Sequence, residues 1–221
     1  DVVTLNTGGS ERLRIDSSGN VLVKGGQELR LNRADNATYG SIKYLTGSGG
    51  LQLNDQNNDG ITFVRGGSSE SMRIDSVGRV TTPAQPVFKA IQSNLSGQNA
   101  GYKTVYFDDT ATGGFDIGGN FNNSNDRFTA PVAGSYQFNT SVRCDGMNAY
   151  FRIIISKNGS TSAITNLHAI YGVPSGNYES LQVGGVLDLA ANDYVTVIVY
   201  AVSDTSWAFT GEGFFTGFLI G

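Results

Sequence analysis

Of the 23 aromatic residues in this chain of 221, only Tyr39, Tyr44 and Phe63 precede Pro86. Large rings dominate core energetics, so the C-terminal part can form a self-sufficient core and the N-terminal part lacks the material for one. The charges divide at the same place: nine acidic and nine basic residues balance before it, and the whole formal net charge of −4 falls after it. With the turn-prone Pro83-Ala84-Gln85-Pro86, this sets an expected domain boundary between residues 1–84 and 85–221.

The 30 glycines against 4 prolines, together with abundant Asn, Ser and Thr, indicate short strands joined by tight turns. An all-β chain is expected, and the lack of a Gly-X-Y period excludes collagen. No Lys/Arg cluster accumulates along the chain, which argues against a nucleic-acid partner. No stretch approaches the roughly 20 apolar residues of a membrane helix, so no membrane insertion is expected. Cys144 is the single cysteine, which rules out an intrachain disulfide and leaves stability to packing and self-association. Asp1 stands where an initiator Met would, so the chain is expected to be a piece or processed product of a longer one.

Within the first region, residues 11–21 (ERLRIDSSGNV) match residues 70–80 (ESMRIDSVGRV) at seven of eleven positions. In the first copy, Leu13 and Ile15 alternate with Arg12 and Arg14, Ser17-Ser18-Gly19-Asn20 supplies a turn, and Val21 and Val23 begin a return strand. Alternation continues through Leu29/Leu31, Ile42/Tyr44, Leu51/Leu53 and Ile61/Phe63. Each strand offers only two or three inward apolar residues, too few for a monomeric core. A trimeric, intertwined β stalk built from repeats solves this by burying the small rows jointly.

From Val87 the chain reads as roughly ten strands. Phe121-Asn122, then the run 127–138 (RFTAPVAGSYQF), then Asn158-Gly159 as a turn, Leu187-Asp188-Leu189 with the run 193–197 (DYVTV), and a terminal Phe-Thr-Gly-Phe-Leu-Ile at 215–220 resemble the C1q/TNF-like jelly roll. Independently of that resemblance, Phe128, Tyr136, Phe138, Phe151, Ile153, Ile155, Val195, Val197 and Val199 alternate as inner-face residues of a two-sheet sandwich. Pro131 and Gly134 mark the bend between two strands, with a positive φ expected at the glycine. The resemblance implies a homotrimer packed through an aromatic-rich wall. The Arg-Ile-Asp-Ser-x-Gly-x-Val hairpins of the first region resemble repeats of tailed-phage fibre proteins, especially those of aquatic hosts. An animal-type C1q signalling ligand is disfavoured, because no collagen stem precedes the head.

Residues 55–60 (DQNNDG) match half of a calcium loop, but Gly66 stands where a bidentate Glu belongs, which favours an Asp-Gly turn between strands ending at Leu53 and starting at Ile61. C1q-like heads can hold calcium near the trimer apex, but their ligands map onto no residues here. No cofactor is therefore expected, and calcium stays open. His168 sits in an apolar strand end and Cys144 follows a strand, both without a catalytic arrangement. A glycan depolymerase needs two flanking carboxyl groups. Asp108, Asp109, Asp116, Asp126, Asp145, Glu179, Asp204 and Glu212 are available for that role but form no motif.

The expected function is thus non-enzymatic: a trimeric tail fibre of the virion that attaches to a host-surface glycan or envelope component and joins other tail or baseplate proteins. The alternatives are a purely structural trimerisation or assembly module and, less favoured, a depolymerase. Aromatic and amide or carboxylate residues in head loops suit sugars, which singles out Asp145, Asn148, Tyr171, Asn177, Tyr178 and Trp207 as receptor-binding candidates.

Overall fold

The computed structural model describes residues 2–23, 28–32, 39–45, 50–55, 57–67, 69–147, 150–171, 178–203 and 206–221. They contain strands and turns and no helix, and they divide into two compact units, Asp1–Pro83 and Ala84–Gly221.

The first unit consists of three antiparallel three-stranded sheets. One holds β1 (Val3–Thr7), β2 (Ser10–Ile15) and β3 (Val21–Val23). The next holds β4 (Glu28–Asn32), β5 (Tyr39–Leu45) and β6 (Gly50–Asp55). The last holds β7 (Ile61–Arg65), β8 (Ser69–Ile74) and β9 (Val80–Thr81). The two similar segments form the same hairpin. Asp16 Oδ1 accepts the N–H groups of Ser18 and Asn20, as Asp75 Oδ1 accepts those of Val77 and Arg79. Gly19 and Gly78 take φ of 84° and 87° in the matching turns. Glu11 pairs with Arg14 at 2.6 Å, and Glu70 with Arg73 at 2.7 Å. The similarity extends upstream beyond the matched segments, since β1 and β7 each pair with the following strand through a register shift near the middle.

Directly paired residues in an antiparallel ladder point to the same face. The registers therefore gather Leu5–Leu13–Val23 and Val3–Ile15–Val21 on one face of the first sheet, and Ile61–Ile74–Val80 on one face of the third. In the second sheet Leu29, Ile42 and Leu53 form one such row. None of the described hydrophobic residues before Pro86 is buried. Asp55 accepts the N–H of Asn57 at 3.1 Å and of Gly60 at 2.7 Å, which makes a turn of residues 57–60 beside it. The strands it joins, β6 and β7, lie in different sheets and are not a hairpin.

The second unit is a sandwich. Its eight-stranded sheet holds β10 (Val87–Gln92), β11 (Leu95–Gln98), β13 (Phe107–Asp108), β14 (Phe115–Ile117), β17 (Gly134–Asp145), β20 (Glu179–Leu189), β22 (Trp207–Phe209) and β23 (Phe214–Leu219). The six-stranded sheet holds β12 (Gly101–Thr104), β15 (Phe121–Asn122), β16 (Arg127–Thr129), β18 (Phe151–Lys157), β19 (Leu167–Tyr171) and β21 (Tyr194–Ala201). That makes fourteen strands where roughly ten were expected, because short pieces within the loops pair at the sheet edges.

All nine residues predicted to face inward are fully buried. Phe88 of the larger sheet stacks at 5.0 Å on both Phe121 and Phe128 of the smaller one, and meets Phe215 edge-on at 5.0 Å. Gly217 keeps this cluster closed, since a Cβ there would lie 2.6 Å from the Phe138 ring and 2.7 Å from Phe88. The buried Gln92 amide ties two strands by donating to Arg143 O and accepting from Arg143 N–H.

Three sequence expectations need correction. Gly134 is not in the positive-φ region; it opens β17 where a Cβ would lie 2.9 Å from both Gly221 O and Leu219 Cδ1, so close approach explains it. Asn158 and Gly159 do take positive φ, but they begin a nine-residue connection from β18 to β19, closed by the Asn166 amide, which accepts from Lys157 N–H and donates to Ser160 O and Ser162 O. Cys144 lies inside β17 and is buried.

Replacing Gly217 by Ala should destabilise the chain by about 1–3 kcal/mol, the usual cost of overpacking. Chemical denaturation checks this, and an unchanged midpoint would contradict the packing described.

Candidate functional site

Because successive side chains of a strand alternate between faces, the residues that fill the core also fix what the outer face of the eight-stranded sheet displays. The registers place Val186, Gln137, Phe218, Val87 and Ile117 in one row across five strands. Val186, Phe218 and Ile117 are 49%, 43% and 45% exposed, although large and apolar. The next row runs Gly184, Asn139, Thr216, Lys89 and Phe115, with Phe115 likewise exposed. Beside Gly184 lies a groove of about 450 Å³ bordered by Asn139, Gln182, Phe214 and Thr216. This is a mixed apolar and amide face, a composition that suits contact with another protein surface.

Of the predicted receptor-binding residues, the structure describes the side chains of Asp145, Tyr178 and Trp207, which lie toward one end of the larger sheet. Asp145 ends β17 half-buried, opposite Ala208. Tyr178 precedes Glu179, the partner of Cys144, so Asp145 and Tyr178 share one end of the sheet. Tyr178 is 59% exposed, with the Arg143 guanidinium 4.3 Å from its ring centre, and Arg143 also pairs with Glu212. Trp207 is not a surface platform: it is 2% exposed, packs edge-on against Phe209 at 4.8 Å and donates Nε1–H to Asn99 O. Its ring fills the core and offers no face to a ligand. Tyr171 ends β19 opposite Phe151, and its side chain, like Asn148 and Asn177, lies outside the described residues. Among the depolymerase candidates, Asp204 also lies outside them.

Two of the candidate depolymerase acids share a second cavity. Asp108 and Asp126 line a space of about 280 Å³ together with Asn94, Tyr106 and Asn123. Hydrogen bonds from Thr110 hold the Asp108 carboxyl below its ordinary range, whereas burial pushes Asp126 up. Sequence reasoning missed this cavity because its walls are contributed by segments as far apart as residues 93 and 126.

Among the described residues, no group of three or more His, Cys, Asp or Glu side chains is placed to hold a metal ion. Both Asp55 oxygens serve their own turn, so the half calcium motif is occupied by backbone N–H groups. Burial pushes the Cys144 thiol up to about 12, far from a reactive thiolate. Burial lowers His168, whose Nε2 lies buried with no partner among the described residues.

Asp193 closes the base of the smaller sheet. It accepts from Asn158 Nδ2 at 2.7 Å and from Ala190 N–H at 2.8 Å, and it pairs with Lys157 at 2.9 Å. These partners hold its carboxyl down to about 2, with the Asn158 hydrogen bond the largest cause.

The C1q domain family profile matches residues 87–220. Among solved structures, the globular domain of zebrafish complement 1qA protein is similar, with 24% identity and a TM-score of 0.42 over 62% of this chain and 98% of that one. No curated protein sequence matches the chain.

Since the folded-state pKa of Asp193 is depressed, its contribution to stability is full above pH 3.8 and is lost as the pH falls through about 2. Thermal melts of Asp193→Asn against the parent chain should differ at neutral pH and converge near pH 2. A difference that persists undiminished at pH 2 would contradict the assignment.

Proposed function

This chain belongs to the C1q domain family, and from that premise we propose that it is a trimeric tail-fibre segment of a virion, whose head attaches to a glycan or another envelope component of the host surface. The observation that carries the reading is the row on the outer face of the larger sheet in which exposed Val186, Phe218 and Ile117 stand with half-buried Val87 and with Gln137. A C1q domain fits a trimerisation or binding head, and covering each half-exposed large side chain contributes roughly 1 kcal/mol, half of the ~2 kcal/mol for full burial. Such a row in a lone chain is a surface awaiting a copy of itself.

The first unit supports the same reading. Its three sheets carry apolar rows that the single chain leaves in water, and a two- or three-stranded sheet without a covered face is marginal. Three chains side by side cover those rows and make a stalk that carries the head and joins other tail or baseplate proteins. Trimerisation also gives function, because three shallow sites engaged together gain avidity over one. The non-enzymatic reading is supported by the Asp108 Oδ1 atom being taken up by Thr110 and Asn123.

Fluorescently labelled chain is expected to adsorb saturably to susceptible bacterial cells and to block virion attachment. Phe218→Glu places a charge in the self-association row and should cut adsorption by roughly a hundredfold, as expected when avidity is lost. A stable trimer that adsorbs to no susceptible host would favour a purely structural fibre segment.

A further inference from the structure

We infer that the cavity formed by residues 93–95 and 106–108 with Asn123 and Asp126 is a binding subsite for a neutral saccharide ring. The inference supplies the ligand site of the proposed receptor-binding head and rests on that reading. Strand β10 begins at Val87 beside Phe218 and Ile117 and ends at Gln92 beside Phe107. The cavity follows directly on Gln92, so it opens at the end of the sandwich opposite the one where β10 begins and β23 ends.

Its walls are built to hold polar groups in place. Asp126 is 4% exposed and takes a left-handed φ of 54°. Its Oδ1 accepts from Phe107 N–H at 2.8 Å and its backbone carbonyl accepts from Thr196 Oγ1 at 2.9 Å, so one bond orients the carboxylate and the other anchors the backbone that carries it. Among the described residues Oδ2 has no partner, and Asp126 lines the cavity. An acceptor held there is satisfied by a donor from outside the chain, water or a ligand hydroxyl.

Other side chains supply the remainder. Asn94 Oδ1 accepts from Gly211 N–H at 2.6 Å, which orients its amide and leaves the Nδ2 donors for a ligand. Tyr106, 45% exposed, and Leu95 form an apolar wall. A carboxylate acceptor, an amide donor and a flat ring together match a sugar, whose hydroxyls both donate and accept and whose ring presents C–H faces. Two carboxylates with no cationic side chain among the lining residues disfavour an acidic sugar. A volume of about 280 Å³ lies at the small end of ligand pockets, enough for one ring and not for an extended chain.

The test titrates the full chain, Tyr106→Ala and Asp126→Asn with glucose, galactose, mannose, N-acetylglucosamine and glucuronic acid by saturation-transfer NMR, and with calcium chloride alone by thermal shift. At least one neutral sugar should bind, more tightly than glucuronic acid. Tyr106→Ala should weaken it roughly tenfold, the loss of one stacked ring. Asp126→Asn retains the acceptor for Phe107 N–H, keeps the fold and should also weaken binding. Three results overturn the inference: no sugar binds; sugar binding is unchanged in both variants; or calcium alone raises the melting temperature in the parent but not in Asp126→Asn, which would make this a cation site. Cell adsorption separates the two readings. If the parent and Tyr106→Ala adsorb equally, the subsite falls and the receptor-binding head stands. If sugar binds as described but no cell is adsorbed, the subsite stands and the receptor-binding head falls.

Discussion

The head depends on the contact that Phe88 makes across the sandwich, lying flat on Phe121 and Phe128 of the opposite sheet and edge-on to Phe215 of its own. Once these rings are committed to the interior, pleating leaves no freedom outside. Val87 must point outward if Phe88 points inward, and Phe218 must do so if Gly217 lies under the Phe88 and Phe138 rings. The apolar row on the outer face is thus a consequence of the core pattern combined with large side chains at the alternate positions. Gln137 in the same row shows that a polar residue satisfies the fold equally well. That the other four positions hold large apolar residues is the physical reason to read this face as one that meets another chain.

The first unit has the opposite character. Its turn hydrogen bonds are local, with each Asp-capped turn holding its own hairpin, yet its apolar rows remain in water. Local hydrogen bonds specify register but contribute little net stability, and burial has to come from elsewhere. Both units therefore present the same incompleteness: surfaces that a single chain cannot cover.

Strict alternation made the core legible in advance. Phe128, Tyr136, Phe138 and the Ile153 to Ile155 pattern announce their facing without help from tertiary context, as does the Asp-Ser-x-Gly turn of the repeated hairpin. Trp207 was misread because β22 has only three residues between loops, too short to display a period, and because its burial depends on Phe209 and on Asn99 far away in sequence. Gly134 looked like a turn glycine, and only the approach of the chain terminus shows why a side chain is excluded there. The cavity beside Asp126 was illegible for a related reason, since its walls come from separate segments and its key residue is oriented by hydrogen bonds to Phe107 and Thr196.

In the proposed trimer, the surfaces left uncovered in one chain are covered by two further copies. Light scattering coupled to size exclusion on the full chain measures this directly. A single species with three times the 23.4 kDa mass of the chain is expected, persisting on dilution. A monodisperse monomer at micromolar concentration would contradict it.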